Sequence, residues 1–436
     1  PWMGCNIPDL QEMDRILVIG SNLRNEHPLL ANRIRKAVAQ GAELSVVNPM
    51  DDDQLMAVKH KAICTPNDMV NVLAQILKAM SGLQRLSLCL PKSLNDLLET
   101  VRVWENSQAM AESLAGLGKE VDLVSPRTGI FLGNIAQSHP RFTELYSLAE
   151  AIASLCGASF GILSPAANST GAHLVGALPG EQGLNAKAML ESPRKAYLLV
   201  NVEPELDCHH AAQARQAIAE AECVIALTAY KSEALEHADV LLPIAPFTET
   251  SGTYMSMEGR VQSFTAVTKP LGECRPGWKV LRVLGNTLGL SGFDFDSSDQ
   301  VKNAIFGGQK PSTVVWNSLN NNLRELIEIQ VKIKSNVLQR LGEVPQFQSD
   351  AIVRRSPPLQ KTRAVQAPVA AMHSQLLTEL GLDDGEMVTV KQGVASVLLK
   401  AKRDDGLPHG VVRVPAAMPV TSLLGDLMGE IEVTRA

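Results

Sequence analysis

Residues Ala238–Phe264, ADVLLPIAPFTETSGTYMSMEGRVQSF, decide how the chain is to be read. From Val240 to Ile244, four apolar residues and a proline stand in a row without alternation, the pattern of a strand buried on both faces of a parallel sheet. The loop beyond carries Glu249, Gly252, Glu258, Gly259 and Arg260. Ligands of such sheets sit in the crevice outside the carboxyl ends of the strands. Glycines there let backbone approach a ligand closely. On these residues alone a second reading stays open, in which Gly252 and Gly259 only make tight turns and Glu258 and Arg260 form a surface pair.

The same alternation of short apolar strand and amphipathic helix recurs upstream. RILVIG, Arg15 to Gly20, is followed by a polar loop and by a helix from Pro28 to Gln40, with Leu29, Leu30, Ile34, Ala37 and Val38 at helical spacing. Strands follow over Glu43–Val47 and up to Cys64, then a helix from Asn67 or Asp68 to Met80. A strand is expected over 83–90, two helices between 96 and 118, a strand over Gly129–Ile135 and a helix over Phe142–Leu155. A long polar loop, SPAANSTGAHLVGALPGEQGLNA, leads to a second unit. Its strands are Tyr197–Val202, Val224–Thr228 and Val240–Ile244, and its helices His209–Ala221 and Ser232–His237. The loops after Val202 (with Glu203), Leu227 and Ile244 would meet at one sheet edge, where a mononucleotide would sit.

A helix is expected over Trp316–Leu341, and the proline-bearing run QFQSDAIVRRSPPLQKT reads as a linker. Beyond it MVTVK, VLLKAK, VVRVP and EIEVT give four short strands. The expected organisation is a first α/β unit over 1–160, a second with its helices over 161–345, and a β domain over 346–436. The fold class is α/β, with doubly wound, mostly parallel sheets and a small C-terminal β domain.

Composition narrows function by exclusion. The chain has 436 residues, a net charge of −6 and 4% aromatics, so neither charge nor stacking platforms call for nucleic acid. Apolar runs such as 196–202 and 240–244 fall far short of the roughly 20 residues of a membrane-spanning helix. Seven cysteines, at 5, 64, 89, 156, 208, 223 and 274, include no CxxC pair, and their dispersal suggests a reducing compartment. Cys208, His209 and His210 carry metal-binding side chains, but adjacent residues on a helix point about 100° apart, so no metal site is expected. No nucleophilic triad, HExxH or Walker loop is present, and no catalytic residue is assigned. The chain opens on Pro1 and reads as part of a longer polypeptide.

The ADVLLP strand, the Glu, the GT and the EGRVQ resemble the molybdopterin oxidoreductase superfamily. With TKPLGECRPGWKVLRVLGNTLGL the resemblance narrows to the large, G-type iron-sulfur subunit of NADH:quinone oxidoreductase, respiratory complex I. It runs from about Arg15 to the C-terminus and is strongest over Leu163–Leu290. It implies a formate dehydrogenase-like fold closed by a domain similar to a double-psi β-barrel. A G-x-N-P loop that contacts a guanine dinucleotide is matched by Gly20 and Asn22, with Leu23 in place of the proline, and an N-x-x-G element near the pterin by Asn168 and Gly171. Ser256 stands where the enzymes tend to show Asn. The superfamily's molybdenum ligand is not matched; Cys5 is nearest, and its position does not fit.

The resemblance further implies electron transfer from NADH to quinone in a proton-translocating complex. Iron-sulfur clusters would lie in a portion upstream, and no cofactor is expected in this part. Its partners would be other subunits of the peripheral arm, at the cytoplasmic side of the bacterial inner membrane. This portion would be a scaffold in which Gly20, Asn22, Asn168, Gly171, Glu203, Glu249, Gly252, Glu258, Gly259 and Arg260 are remnants of a cofactor site. The alternatives are an active molybdopterin oxidoreductase and a module holding one nucleotide between Glu249, Glu258 and Arg260.

Overall fold

The computed structural model describes residues 1–83, 92–116, 127–236, 238–323, 329 and 337–436. Strands β1 (Arg15–Ile19), β2 (Glu43–Asn48), β3 (His60–Ile63), β4 (Thr128–Leu132) and β5 (Ser159–Ile162) form a fully parallel sheet in the order β3-β2-β1-β4-β5. Every residue of β1 and β4 is buried, as runs without alternation require. Leu17, Ile19, Ile130 and Leu132 pack against the helices Met69–Leu83 and Phe142–Cys156. Ile16, Val18 and Phe131 turn to the other face, against Leu30 and Ile34 of the helix Pro28–Ala39. Gly157, at φ 63°, ends the helix Phe142–Cys156 with its amide on the Ala153 carbonyl. The strand expected over 83–90 lies outside the described residues, apart from Leu83 at the end of a helix. β5 is not among the expected strands; its SFGI is too short to show a period.

The second sheet is made of β6 (Ala196–Val200), β7 (Cys223–Thr228) and β8 (Val240–Ala245), all parallel. The chain then doubles back as an antiparallel hairpin, β9 (Gly252–Met255) and β10 (Val261–Phe264), and returns as β11 (Arg275–Pro276) beside β8. Two expectations are corrected here. The presumed ligand loop after β8 is mostly this hairpin, its Ser256–Arg260 turn closed by the Ser256 amide on the Arg260 carbonyl at 3.0 Å. Nor is β8 buried throughout: Ile244 and Ala245 are, while Val240 and Leu241 are 41% and 38% exposed. Val240 shares a register row with Ile225 and the exposed Leu198, whereas at the other end Ile244 lies against Gly277 of the helix Gly277–Thr287.

The helix expected over Trp316–Leu341 is corrected at its two ends, while residues 324–328 and 330–336 lie outside the described residues. A helix spans Pro311–Ser318, the backbone is extended at Leu319, and Gln339–Leu341 is strand β12. Asn320–Asn322 break the helix because their short amides compete for backbone. Asn321 shows the result: its Nδ2 donates to the carbonyls of Trp2 and Phe160 at 3.0 and 2.7 Å, and its Oδ1 accepts from the Trp2 amide at 2.9 Å.

β12 joins β13 (Val369–Met372), β14 (Met387–Gln392), β15 (Ala395–Arg403), β16 (Val411–Arg413), β17 (Met428–Glu430) and β18 (Glu432–Arg435) in a curled sheet ordered β17-β12-β16-β13-β15-β14-β18. This β domain thus draws its first strand from ahead of residue 346. Alternating burial along β15 points Val397, Leu399 and Ala401 into its core. Among the described residues Cys5, Cys156, Cys208, Cys223 and Cys274 are free thiols. No helix among the described residues is long and apolar enough to cross a membrane.

The first residues are wedged beside β5, where Ile162 donates to the Trp2 carbonyl at 2.9 Å and a Cβ on Gly161 would lie 1.9 Å from the Met3 carbonyl oxygen. Gly161→Ala is therefore expected to lower stability by about 1–3 kcal/mol or more and to open residues 1–14 to limited proteolysis. Gly180→Ala, where a Cβ would meet nothing within 4 Å, should stay within about 0.5 kcal/mol of the wild type in the same thermal unfolding measurement.

Candidate functional site

In the first sheet the strand order reverses between β1 and β4, the place where a doubly wound sheet opens its crevice. Here the two loops close on each other. The Gly133 amide donates to the Ile19 carbonyl at 2.9 Å and the Ala136 amide to the Gly20 carbonyl at 3.0 Å. Gly20, at φ 58°, has no room for a side chain, since a Cβ would lie 2.5 Å from the Ala136 nitrogen. Ser21 exchanges two 2.8 Å hydrogen bonds with the side chain of Asn48. The Asn22 amide donates to Glu26 Oε2 at 3.2 Å, which also receives the Ser21 hydroxyl at 3.3 Å. A carboxylate of the chain itself therefore meets the donors that would cradle a phosphate. Burial pushes the Glu26 carboxyl up to about 7, and Glu343 adds to the rise against the bonds from Asn22, Ser21 and Asn134.

Asn168 and Gly171 act as a pair within the fold. Asn168 Oδ1 accepts the Met255 amide at 2.8 Å, which ties the hairpin to the loop after β5. A Cβ on Gly171 would lie 2.1 Å from that same oxygen, so glycine makes room for the amide. At the hairpin turn Glu258 is buried, its Oε2 taking the Ile7 amide and its Oε1 the Arg260 Nε, both at 2.7 Å. Gly259 holds φ 85° with the Leu319 side chain 2.6 Å from where a Cβ would be. Ser256 Oγ accepts the Arg260 amide at 3.2 Å, closing the turn in place of reading a base. Gly252 lies against the Phe264 ring. Glu249 holds the Leu271 amide at 3.0 Å. Glu258 and Arg260 are brought together as a pair, and the bonds of Glu249 go to a different segment.

At the carboxyl edge of the second sheet Glu203 is 1% exposed. Its amide donates to Asp207 Oδ2 at 2.7 Å, and its carboxylate takes Arg354 Nη1 at 2.7 Å and Arg355 Nη1 at 3.1 Å. Arg354 also pairs with Asp207, and the Arg355 guanidinium lies 4.8 Å above the ring of Tyr230, in the loop after β7. Burial opposes ionisation of Glu203, but the bonds and charges of Arg355 and Arg354 outweigh it and hold the carboxyl below its ordinary value. The linker, read from sequence as a spacer, thus occupies two of the three loops that were expected to meet around a mononucleotide. Sequence reading missed Glu26, Arg354 and Arg355; the signal was an RR pair inside an otherwise spacer-like run.

Cys5 is buried, and its thiol is pushed up to about 12 by burial and then by Asp9 and Glu258, which disfavours a thiolate ligand there. The helix expected from His209 begins at Ala211, so His209 and His210 precede it. A cavity of about 460 Å³ between Tyr146, His173 and Asn322, and one of about 140 Å³ beside Cys208 and Arg340, are lined by none of the ten sequence-selected residues.

The family model described as molybdopterin oxidoreductase matches residues 1–287, and that of the molydopterin dinucleotide binding domain matches 344–430. The chain is 21% identical to the F420-dependent formate dehydrogenase subunit alpha of Methanocaldococcus jannaschii, over 94% of this chain and 72% of that protein. It is 26% identical to the NADH-quinone oxidoreductase G subunit of Shewanella oneidensis, over 69% of this chain but only 34% of that protein. A segment of 51 residues, 7% of the relative, is 51% identical to the mitochondrial NADH-ubiquinone oxidoreductase 78 kDa subunit of Candida albicans. Among solved structures, acetylene hydratase from Pelobacter acetylenicus superposes with a TM-score of 0.69 at 14% identity, covering all of this chain and 80% of that one.

Because its carboxyl is raised from 4.5 to about 7, Glu26 contributes stability that is complete below about pH 4.5 and lost as pH rises through about 7. Glu26→Gln keeps an acceptor and removes the charge. Relative to the wild type it should gain on the order of 2 kcal/mol in urea unfolding between pH 5 and pH 8, and an unchanged difference would refute the buried carboxylate.

Proposed function

Because the chain belongs to the molybdopterin oxidoreductase family, we propose that it is the pterin-enzyme-like portion of a G-type iron-sulfur subunit of NADH:quinone oxidoreductase, acting there as a scaffold without chemistry of its own. The observation that carries this reading is the destination of the polar groups at the two crevice edges. A pyrophosphate at Gly20–Asn22 would have to displace the Glu26 carboxyl from the Ser21 and Asn22 donors, and a nucleotide at the second edge would have to strip Arg354 and Arg355 from Glu203. The residues present therefore do not fit a pterin dinucleotide, and no reaction step runs through one. In this reading electrons pass through clusters held elsewhere in the same subunit, the partners are the other subunits of the soluble arm, and the complex sits at the cytoplasmic face of the inner membrane.

A second reading, an active molybdopterin oxidoreductase, is favoured by one observation, the formate dehydrogenase likeness that spans 94% of the chain. Metal and pterin analysis of the full-length protein containing this chain separates the two. The scaffold reading expects iron without molybdenum, tungsten or a fluorescent oxidised pterin, together with co-purification of NADH-oxidising subunits from solubilised membranes. Stoichiometric molybdenum or tungsten with pterin would overturn it.

A further inference from the structure

His209 and His210 lie where the backbone is not yet helical, His210 having φ −117° and ψ 81°, so the two rings escape the divergence that helix neighbours must show. Their planes meet at 84° with centroids 5.2 Å apart. Both turn Nε2 to one atom, Asp426 Oδ1, at 3.0 and 2.9 Å. The three potential ligand atoms all lie within 4.8 Å of one another.

The partner loop is held from beneath. Arg340, 1% exposed, donates from Nη1 to the carbonyls of Gly425 and Asp426 at 3.1 and 3.2 Å, and Gln392 Nε2 donates to the Asp426 carbonyl at 2.9 Å. A Cβ on Gly425 would lie 3.2 Å from His210 Nδ1, so a glycine there lets the loop lie close against the ring. The imidazoles come from the segment that enters the helix Ala211–Ala219, and the carboxylate from the turn ahead of β17. None of the three is among the residues that match the family's motifs, and the site stands independently of the function proposed above.

Two imidazole nitrogens and a carboxylate oxygen form a donor set suited to zinc. Bonds of about 2.0–2.1 Å in a tetrahedron place ligand atoms roughly 3.3 Å apart. The observed nitrogen–oxygen separations, 3.0 and 2.9 Å, are within half an ångström of that spacing. The two imidazole nitrogens, within 4.8 Å of each other, would have to lie at about that spacing for all three atoms to meet one ion. We propose that His209, His210 and Asp426 are a Zn²⁺ site, completed by water, that clasps the second α/β unit to the C-terminal β-sheet.

The test uses the whole chain, stripped with a chelator and titrated with Zn²⁺ by calorimetry, and in parallel with Co²⁺ by visible absorption. Expected are one Zn²⁺ per chain at micromolar affinity or tighter and the intense visible bands of four-coordinate Co²⁺. His209→Gln, His210→Gln and Asp426→Asn should each weaken binding by at least about ten-fold and remove the Co²⁺ bands, with circular dichroism unchanged. Cys208→Ser should bind as the wild type does. Absence of stoichiometric uptake, wild-type affinity in all three ligand variants, or loss of binding in Cys208→Ser would each overturn the site.

Discussion

A buried backbone amide must find an acceptor, and in a parallel sheet that demand is sharpest where the chain leaves the ladder at the carboxyl ends of the strands. In a ligand-binding sheet an anion can meet it. In this chain side chains meet it instead. Asn48 receives the amide of Ser21, Glu26 that of Asn22, Asp207 that of Glu203, Glu258 that of Ile7 and Asn168 that of Met255. These contacts fix where the loops lie, and the loops in turn fix how the hairpin, the linker and the N-terminal segment dock.

Three buried or half-buried glutamates lie along these loops, and the chain handles the charge of each differently. Glu258 is offset by Arg260 and an amide. Glu203 is offset by two guanidinium groups, enough to outweigh its burial. At Glu26 hydrogen-bond donors work against burial and lose to it, so its proton is held to about neutral pH. A buried ion pair adds little net stability over an apolar contact, but breaking it leaves an uncompensated charge at about 3–5 kcal/mol. The Glu203 cluster is therefore better understood as a device for position. It obliges the linker to lie over the loops after β6 and β7.

Much of the fold was legible because apolar periodicity reports burial one element at a time. Arg15–Ile19, Pro28–Ala39, Glu43–Asn48 and Phe142–Cys156 came within about a residue or two of the sequence reading for that reason. The failures share a cause. The hairpin Gly252–Phe264 was hidden because its turn residues, S-M-E-G, carry the charges that suggested a ligand loop. The helix expected over 316–341 has its first residues in a helix that ends at Ser318, and the segment at Asn321 is instead fixed by bonds to Trp2, 319 residues away. The lock on Glu203 spans 151 residues and that between Ile7 and Glu258 spans 251. No local pattern registers polar pairing over such separations.

Motif residues and ligand-binding residues separate in this chain, and Asn168 with Gly171 shows why. The glycine is required because a Cβ would strike the Asn168 amide, and the amide is required because Met255 needs an acceptor. Both identities are thus explained by packing alone, and a matching motif carries no information about a bound ligand. The informative residues are those whose charge would compete with one. The donors at the first crevice edge are met by the Glu26 side chain and the buried Glu203 at the second by an arginine pair, so a ligand at either edge would have to compete with those contacts. Glu26, Arg354 and Arg355 therefore say more about function here than the ten residues that match or resemble a binding pattern.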